Sequence, residues 1–418
     1  MPARSAPIPK PIPVVAKIFA SLLLVTLAVM ATRLDFRQPF IGYGLGGTFL
    51  LFLATRPSPR RKAIVGALAI GAAGLLLGRH LGDITTLLVQ GMGFLGLASL
   101  LALSCAVLWN GRAQEPAAYR ALLPGVVLTF LILAAVHSLN MASLLHAKTF
   151  DLYAYAFDGS LGFQPSFLLG SVLSKNPWLF PAVKVTYEGI VLAMAATYAA
   201  FMTRQEKPVW EVIEFLFAPA MIGYLFFSVF PVCGPHYAFA QDFPHTCLPY
   251  TTLHHLLLEG VPVSRAFPRN GVPSLHLAWA LMIWFNTRGL PRAVRITAGA
   301  LVLATVFDTL ATGEHYLFDL IVTLPFTLWM QASLLRRVSF RKRQRWLPAI
   351  TGCAIFLSWL AIGRFGIPWM LTSRFVPWSL AILSSALSLR WAMRLPAIVP
   401  QAHGAPELEL RTMAATAQ

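Results

Sequence analysis

Two short polar segments stand out in a chain that is otherwise largely apolar. NGVPSLH, residues 270–276, places Asn, Ser and His directly before an apolar run, and EHYLFD, residues 314–319, places His315 and Asp319 four residues apart. Residues four apart share one face of a helix. A carboxylate there can accept the imidazole N–H, fix the tautomer and make the other ring nitrogen more nucleophilic. The spacing therefore indicates a histidine prepared for nucleophilic attack.

The first segment is typical of a helix start that binds an anion. Pro273 suits the first turn of a helix, where its missing N–H has no partner to lose. The backbone N–H groups of Ser274, Leu275 and His276 are then predicted to point out of the helix start, where the helix dipole favours negative charge. Arg269 lies just upstream and has the forked guanidinium that suits phosphate oxygens. We expect a bound phosphate group here.

The composition indicates that membrane helices must position these residues. The chain has 418 residues, of which 57% are hydrophobic and 12% charged, and its mean hydropathy is +0.67. Soluble domains carry about 25% charged residues, whereas the apolar runs here are long enough to cross ~30 Å of hydrocarbon. The net charge of +17 does not indicate a nucleic-acid partner, because Lys and Arg fall in the short gaps between apolar runs. We predict an all-α protein, a polytopic transmembrane helical bundle.

Twelve spans are predicted. They lie near residues 14–32, 39–55, 62–78, 84–108, 121–145, 178–202, 211–231, 273–287, 294–312, 316–335, 347–363 and 368–389. The first has a basic flank but no clear cleavage site, so we interpret it as an uncleaved span. Most of the 33 Lys and Arg residues fall in loops that this alternation places inside, which predicts that both termini are cytoplasmic. His276, His315 and Asp319 then lie at the same outer face of the membrane.

Two outside segments are long, residues 146–177 and 232–272. The first mixes aromatic residues with single charges and is predicted to lie in the membrane interface. The second is predicted to form a roof over the site, and it holds Cys233 and Cys247. A disulfide between them is predicted if the loop faces an oxidising compartment. The other two cysteines, Cys105 and Cys353, lie in predicted spans as small apolar residues.

The pattern G-x-P-S-x-H followed by H-Y-x-x-D resembles the type 2 phosphatidic acid phosphatase (PAP2) superfamily. It is most similar to the branch with fungal inositol phosphorylceramide synthase and related inositolphosphotransferases. The similar stretches are FDLYAYAFDGSLG, FPVCGPHY, NGVPSLH and EHYLFD. The resemblance covers roughly residues 121–335 and implies a catalytic core of six helices there. It leaves residues 1–120 as N-terminal spans of unknown role, residues 336–395 as C-terminal spans and residues 396–418 as a mobile cytoplasmic tail.

The resemblance also implies a mechanism, a two-step phosphoryl transfer that needs no metal or other cofactor. His315 would attack phosphorus and form a phosphohistidine, Asp319 would orient it, and His276 would protonate the leaving oxygen. The chain departs from the superfamily in its phosphate clamp. The usual Lys and Arg-Pro motif has no clear counterpart, and Asp308-Thr309 stands where Ser-Arg is usual. The substitutes that we consider as substrate-binding residues are Arg269, Ser274, His236 and Lys184.

A metal site is an alternative interpretation of these residues. Two His and a carboxylate can bind iron, but the ten His residues do not form the repeated clusters of membrane di-iron oxidases, and HExxH is absent. No metal is therefore predicted. Lys184 and Glu188 are four apart in a predicted span and are expected to neutralise one another. Tyr187 and Tyr316 are interpreted as interfacial anchors.

The rival function is a secondary transporter with twelve spans, in which Lys184 or Glu188 would couple transport to an ion. No repeat relates the two halves of the chain, which argues against it. The sequence thus predicts an integral membrane enzyme that opens the phosphoester of a phosphorylated lipid. With water as the acceptor it is a lipid phosphatase, and with an alcohol it is a head-group transferase. The expected location is a bacterial inner membrane or its equivalent, with the site on the periplasmic or lumenal face.

Overall fold

The computed structural model describes residues 39–76, 84–111, 113–204, 210–247, 260–288, 290–336 and 338–398. The predicted span at 14–32 lies outside these residues, as does the predicted tail beyond residue 398. The described residues are largely helical, and their one sheet has two short strands.

Four helices form the N-terminal part: α1 (Pro39–Ala54), α2 (Pro59–Leu76), α3 (Ile84–Asn110) and α4 (Pro116–Leu145). Helix α1 packs against α3 and α4. Gly96 of α3 makes the close approach possible, because a Cβ at this position would overlap the backbone of Leu45. In a membrane, no hydrophobic force drives helices together, so close packing at small residues stabilises their association.

The middle part begins with strand β1 (Lys148–Thr149), which pairs antiparallel with β2 (Val261–Pro262). Two short helices follow β1, namely α5 (Asp151–Ser160) and α6 (Pro165–Lys175), in the segment that was predicted to lie at the interface. The next elements are a 3₁₀ turn (Pro177–Leu179), α7 (Phe180–Glu188), α8 (Ile190–Met202), α9 (Trp210–Val229), α10 (Pro235–Ala238) and a second 3₁₀ turn (Ala240–Asp242).

The last part consists of α11 (Leu275–Asn286), α12 (Arg292–Ala311), α13 (Leu317–Ser333), α14 (Arg343–Ala361), a π-helical turn (Ile362–Gly366), α15 (Ile367–Met370) and α16 (Phe375–Arg394). Helix α13 is largely buried and packs against α11, α14 and α16, while its N-terminal part lies against α5. This packing brings the two polar segments of the sequence together, since NGVPSLH leads into α11 and EHYLFD leads into α13.

Four stretches of helix are long and apolar enough to cross a membrane: Leu87–Asn110, Trp210–Val229, Arg292–Ala311 and Arg343–Met370. Helices α7 and α8 join at a bend of 52° and make a fifth if they are one broken span. Helices α11 and α13 have 12 and 17 residues, fewer than the ~20 of an ordinary span. The described residues therefore support a membrane-embedded helical protein, and the count of twelve spans stays a prediction.

Candidate active site

His315 lies in the loop between α12 and α13, one residue before the α13 N-cap, and not within a helix as its spacing predicted. Its backbone N–H donates to the Thr309 carbonyl (3.1 Å), and its own carbonyl accepts from Ser166 Oγ (2.8 Å). Asp319 lies in the first turn of α13. His315 Nδ1 and Asp319 Oδ2 are 3.3 Å apart, and both side chains are buried. The predicted contact is present, although a loop and a helix start provide it together.

The start of α13 holds the Asp319 carboxylate in place. Its Oδ2 also accepts from the backbone N–H of Tyr316 (2.9 Å), as one half of a capping box. A capping box fixes both the helix start and the side chains that form it. The same carboxylate oxygen thus caps the start of the helix and orients His315.

Ser274 occupies the other side of the imidazole. Its Oγ lies 3.1 Å from His315 Nε2 and also accepts from Leu277 N (3.5 Å) as the N-cap of α11. The backbone N–H of Ser274 was predicted to face an anion. It donates instead to Thr323 Oγ1 (2.8 Å), so that part of the prediction is wrong. Ser274 meets the site through its hydroxyl group.

The protonation of His315 suits a nucleophile. Burial lowers the pKa of its imidazole to about 3, because the charged form loses its hydration. The ring is therefore neutral at pH 7. With the Nδ1 proton directed at Asp319, the lone pair lies on Nε2, on the side of Ser274.

His276 lies in the first turn of α11 and is partly exposed. Its ring stacks on Tyr187 of α7, with centroids 3.9 Å apart and an angle of 16° between the planes. It lies near His315. The structure thus brings together the three residues that were predicted as catalytic. Tyr187, which we interpreted as an interfacial anchor, lies against His276.

Two buried aspartates of α5 support the His315 loop, and sequence reasoning missed both of them. Asp158 accepts from the backbone N–H groups of Leu317 and Phe318 (2.9 Å each), and Asp151 accepts from the Tyr316 hydroxyl group (3.0 Å). Charge-assisted bonds of this kind are stronger than neutral ones. The signal that could have revealed them is two carboxylates seven residues apart in an otherwise apolar segment, which places them on one helical face.

Asp151 also connects the FPVCGPHY segment to the loop that contains His315. It accepts from the backbone N–H of Gly234 (2.9 Å) and from that of Cys233 (3.1 Å). Gly234 has φ +95°, and a Cβ there would overlap the backbone of Glu314. Only glycine adopts this conformation readily and leaves room for the loop beside it. The FPVCGPHY segment therefore packs directly against the residues that precede His315.

Arg269 does not face the site, which corrects its predicted role as a phosphate ligand. The side chain is fully buried, and its guanidinium donates to the backbone carbonyls of His146, Val263, Ser264 and Phe267. An arginine whose N–H groups are directed at four carbonyls is engaged in holding the chain. It fastens the 263–269 loop to the end of α4.

We predict that Arg269→Lys destabilises the fold and leaves substrate affinity unchanged. Lysine keeps the charge but has three donors on one atom, so several buried carbonyls lose their partners. The expected loss is on the order of 3 kcal/mol in the free energy of unfolding, measured by thermal unfolding in detergent. Arg265→Lys, at an exposed neighbour, is the matched control. A higher KM with an unchanged unfolding temperature would show instead that Arg269 binds substrate.

Lys184 and His236 lie beside the site at a cavity of about 490 Å³. Lys184 is partly exposed and His236 is exposed. Glu188 lines the same cavity. Lys184 and Glu188 form no direct ion pair among the described residues, but the charge of Lys184 acts on the Glu188 carboxylate at longer range, in the sense of the predicted neutralisation.

The predicted disulfide is not formed, because Cys233 and Cys247 are both free thiols. Cys247 is exposed. Cys233 is buried, and its Sγ donates to Asp151 Oδ2 (3.2 Å). The carboxylate that supports the His315 loop thus holds this thiol too. Among the residues that the structure describes, no three His, Cys, Asp or Glu side chains are grouped so as to hold a metal ion.

Comparison with known proteins gives one match. Residues 153–333 match the family model of the PAP2 superfamily. The matched region contains His276, His315 and Asp319, together with Ser274 and Lys184. No curated protein and no solved structure matches the chain.

Proposed function

We propose that this protein is an integral membrane enzyme that transfers or hydrolyses the phosphoester of a phosphorylated lipid through a phosphohistidine at His315. The PAP2 superfamily match supports phosphatase or phosphotransferase chemistry on lipid phosphates. The observation that carries the proposal is the chain of contacts from Ser274 Oγ to His315 Nε2 and from His315 Nδ1 to Asp319, with His276 beside it.

In the first half-reaction, the Nε2 lone pair of His315 forms a bond to phosphorus as the bond from phosphorus to the leaving oxygen breaks. The substrate displaces the Ser274 hydroxyl group from Nε2, and that hydroxyl can then donate to a phosphate oxygen. The negative charge of the bound phosphate favours the protonated form of His276, which then gives its proton to the leaving alcohol and becomes neutral. Asp319 stabilises the positive charge that develops on the His315 ring.

In the second half-reaction, the oxygen of water or of an alcohol attacks the same phosphorus atom and His315 leaves. His276 takes the proton of the attacking hydroxyl group. Water as the acceptor releases phosphate, as in a lipid phosphatase. An alcohol acceptor gives head-group transfer of the kind that inositolphosphotransferases carry out.

The arrangement in the membrane is part of the proposal. The catalytic unit comprises residues 121–335 within a bundle of about twelve spans. Both termini face the cytoplasm, and the site opens on the periplasmic or lumenal side. This orientation follows from the distribution of Lys and Arg among the loops.

The purified protein is expected to turn over at least one member of a panel of phosphorylated lipids. Released phosphate and new lipid products are measured with and without alcohol acceptors. EDTA is expected to leave the rate unchanged, because the proposed chemistry uses only side chains, and strong inhibition by EDTA would contradict the metal-free route. Solute uptake by reconstituted vesicles without any lipid turnover would favour the transporter.

A further inference from the structure

A second cavity, of about 330 Å³, lies beside His276. We call it the Glu314 cavity, after the residue that precedes His315. Its polar lining residues include Glu188, Glu314, Asn270 and Tyr224, and much of the rest is aromatic. Glu314 and Glu188 also line the cavity that contains Lys184, so the two cavities share an acidic wall.

The charge of the Glu314 cavity is unusual for a site that handles phosphate. Two carboxylates line it, and no Lys or Arg of the described chain does. Burial raises the pKa of the Glu314 carboxyl to about 7, because a charge there is poorly hydrated. A buried carboxylate is costly unless a cation or hydrogen-bond donors compensate it. The cavity is therefore prepared for a ligand that brings positive charge.

The unpaired polar atoms in the lining are oxygens. The Tyr224 hydroxyl group and Asn270 Oδ1 have no hydrogen-bond partner among the described residues, and the Tyr224 side chain is 9% exposed. Glu314 Oε1 accepts from the Tyr237 hydroxyl group (2.9 Å). Carboxylates and an amide oxygen can only accept hydrogen bonds. The two carboxylates and Asn270 Oδ1 accept, and the Tyr224 hydroxyl group can also accept, so the lining suits a ligand with several donors.

The aromatic lining favours the same ligand class. Tyr187, Tyr224, Tyr237 and Trp279 all line the cavity. Aromatic faces attract cations at close range, and more strongly when water is excluded. A polyol such as inositol is uncharged, so it would leave the two carboxylates of the lining without a compensating charge. A primary ammonium has three donors, no acceptor and one positive charge.

We propose that the Glu314 cavity binds the primary ammonium of an amino alcohol, either esterified in a lipid head group or free as the acceptor. The inference rests on the proposed function, because it places the ester oxygen of that amino alcohol next to the phosphorus atom at His315. Glu188 and Glu314 hold the ammonium group, while Lys184 lines the neighbouring cavity. The substrate class then becomes the phosphoethanolamine type.

Binding is tested on the His315→Ala protein, so that turnover does not interfere. Short-chain lipids with ethanolamine, choline, inositol or no head group are titrated at pH 7.5, and free ethanolamine is titrated separately. The ethanolamine lipid is expected to bind about tenfold more tightly than the others, in line with a compensated ammonium. If the ammonium group belongs to the free acceptor, free ethanolamine is expected to bind instead. Either result supports the site only if it disappears in the double variant Glu188→Gln, Glu314→Gln.

Asp242→Asn, at an exposed carboxylate of the same outer segment, is the matched control and is expected to keep the preference. Thermal unfolding of each variant distinguishes loss of binding from loss of the fold. If the double variant is unstable, the two single Gln variants are tested in its place. Equal binding of the inositol or choline lipid, or a preference that survives both Gln substitutions, would overturn the inference. Its failure is distinct from failure of the proposed function, which is judged on turnover by the wild-type protein.

Discussion

His315→Ala is expected to lower lipid turnover by at least about 10⁴-fold. Removal of a covalent nucleophile costs this much in other enzymes, because the remaining groups cannot replace the bond that it forms. His315 is the imidazole held between Asp319 and Ser274, with a neutral ring at pH 7. The measurement is the initial rate for the purified variant with the best lipid of the panel.

Two further variants make this result interpretable. His137→Ala removes an exposed imidazole on α4 and is expected to keep wild-type rates. His315→Gln keeps a polar side chain between Ser274 and Asp319, so it is expected to preserve the fold better than alanine while lacking a nucleophile. Unfolding temperatures are compared for all three variants. A rate within tenfold of the wild type in a folded His315→Gln protein would exclude the covalent route.

The second large effect is expected at His276, and it should depend on the leaving group. His276→Ala removes the proton donor of the first half-reaction, which is worth about 10² to 10⁴-fold for general acid catalysis. An alkyl alcohol is a poor leaving group and needs this proton. An aryl phosphoester releases a stable phenolate, so its reaction needs this proton far less. The variant should therefore lose most of its activity on lipids but retain much of its activity on an aryl substrate.

The comparison of the two substrates separates protonation from positioning. The stacked ring of Tyr187 lies 3.9 Å from that of His276, so Tyr187→Phe is the matched control that keeps the stacking. Tyr187→Phe is expected to preserve the ratio of the two rates. If His276→Ala lowered the rates on both substrates equally, His276 would be a phosphate-binding group and not the general acid.

The sequence predicted the parts of the site that depend on local spacing. His315 and Asp319 are four residues apart, so neighbouring residues determine their contact, whereas the N-cap role of Ser274 was not predicted. The position of Asp319 in the first turn of α13 needed no long-range information. For the same reason, the main helices lie near the predicted apolar runs.

Contacts between distant segments were not predictable in this way. Arg269 looks like a phosphate ligand beside NGVPSLH, but the β1–β2 pairing brings His146 to it, and four carbonyls engage its guanidinium. Cys233 was paired with Cys247 because both lie in one loop, whereas its thiol bonds to Asp151, 82 residues away. The support that Asp158 gives to α13 spans a still longer separation.

The span count illustrates a different limit. Hydropathy separates apolar from polar residues, but it does not tell whether an apolar helix crosses the membrane. Helices α11 and α13 are short, and each begins at one of the two polar segments.

The most direct test of the account is to trap the covalent intermediate. A lipid labelled on its phosphate is mixed with the enzyme, the reaction is quenched in alkali, where phosphohistidine is stable, and the labelled peptide is identified by mass spectrometry. We predict one labelled residue, His315, with the label absent from His315→Ala and released by dilute acid. Label on another side chain, or single-turnover chemistry that proceeds with no labelled protein at any time, would contradict the account.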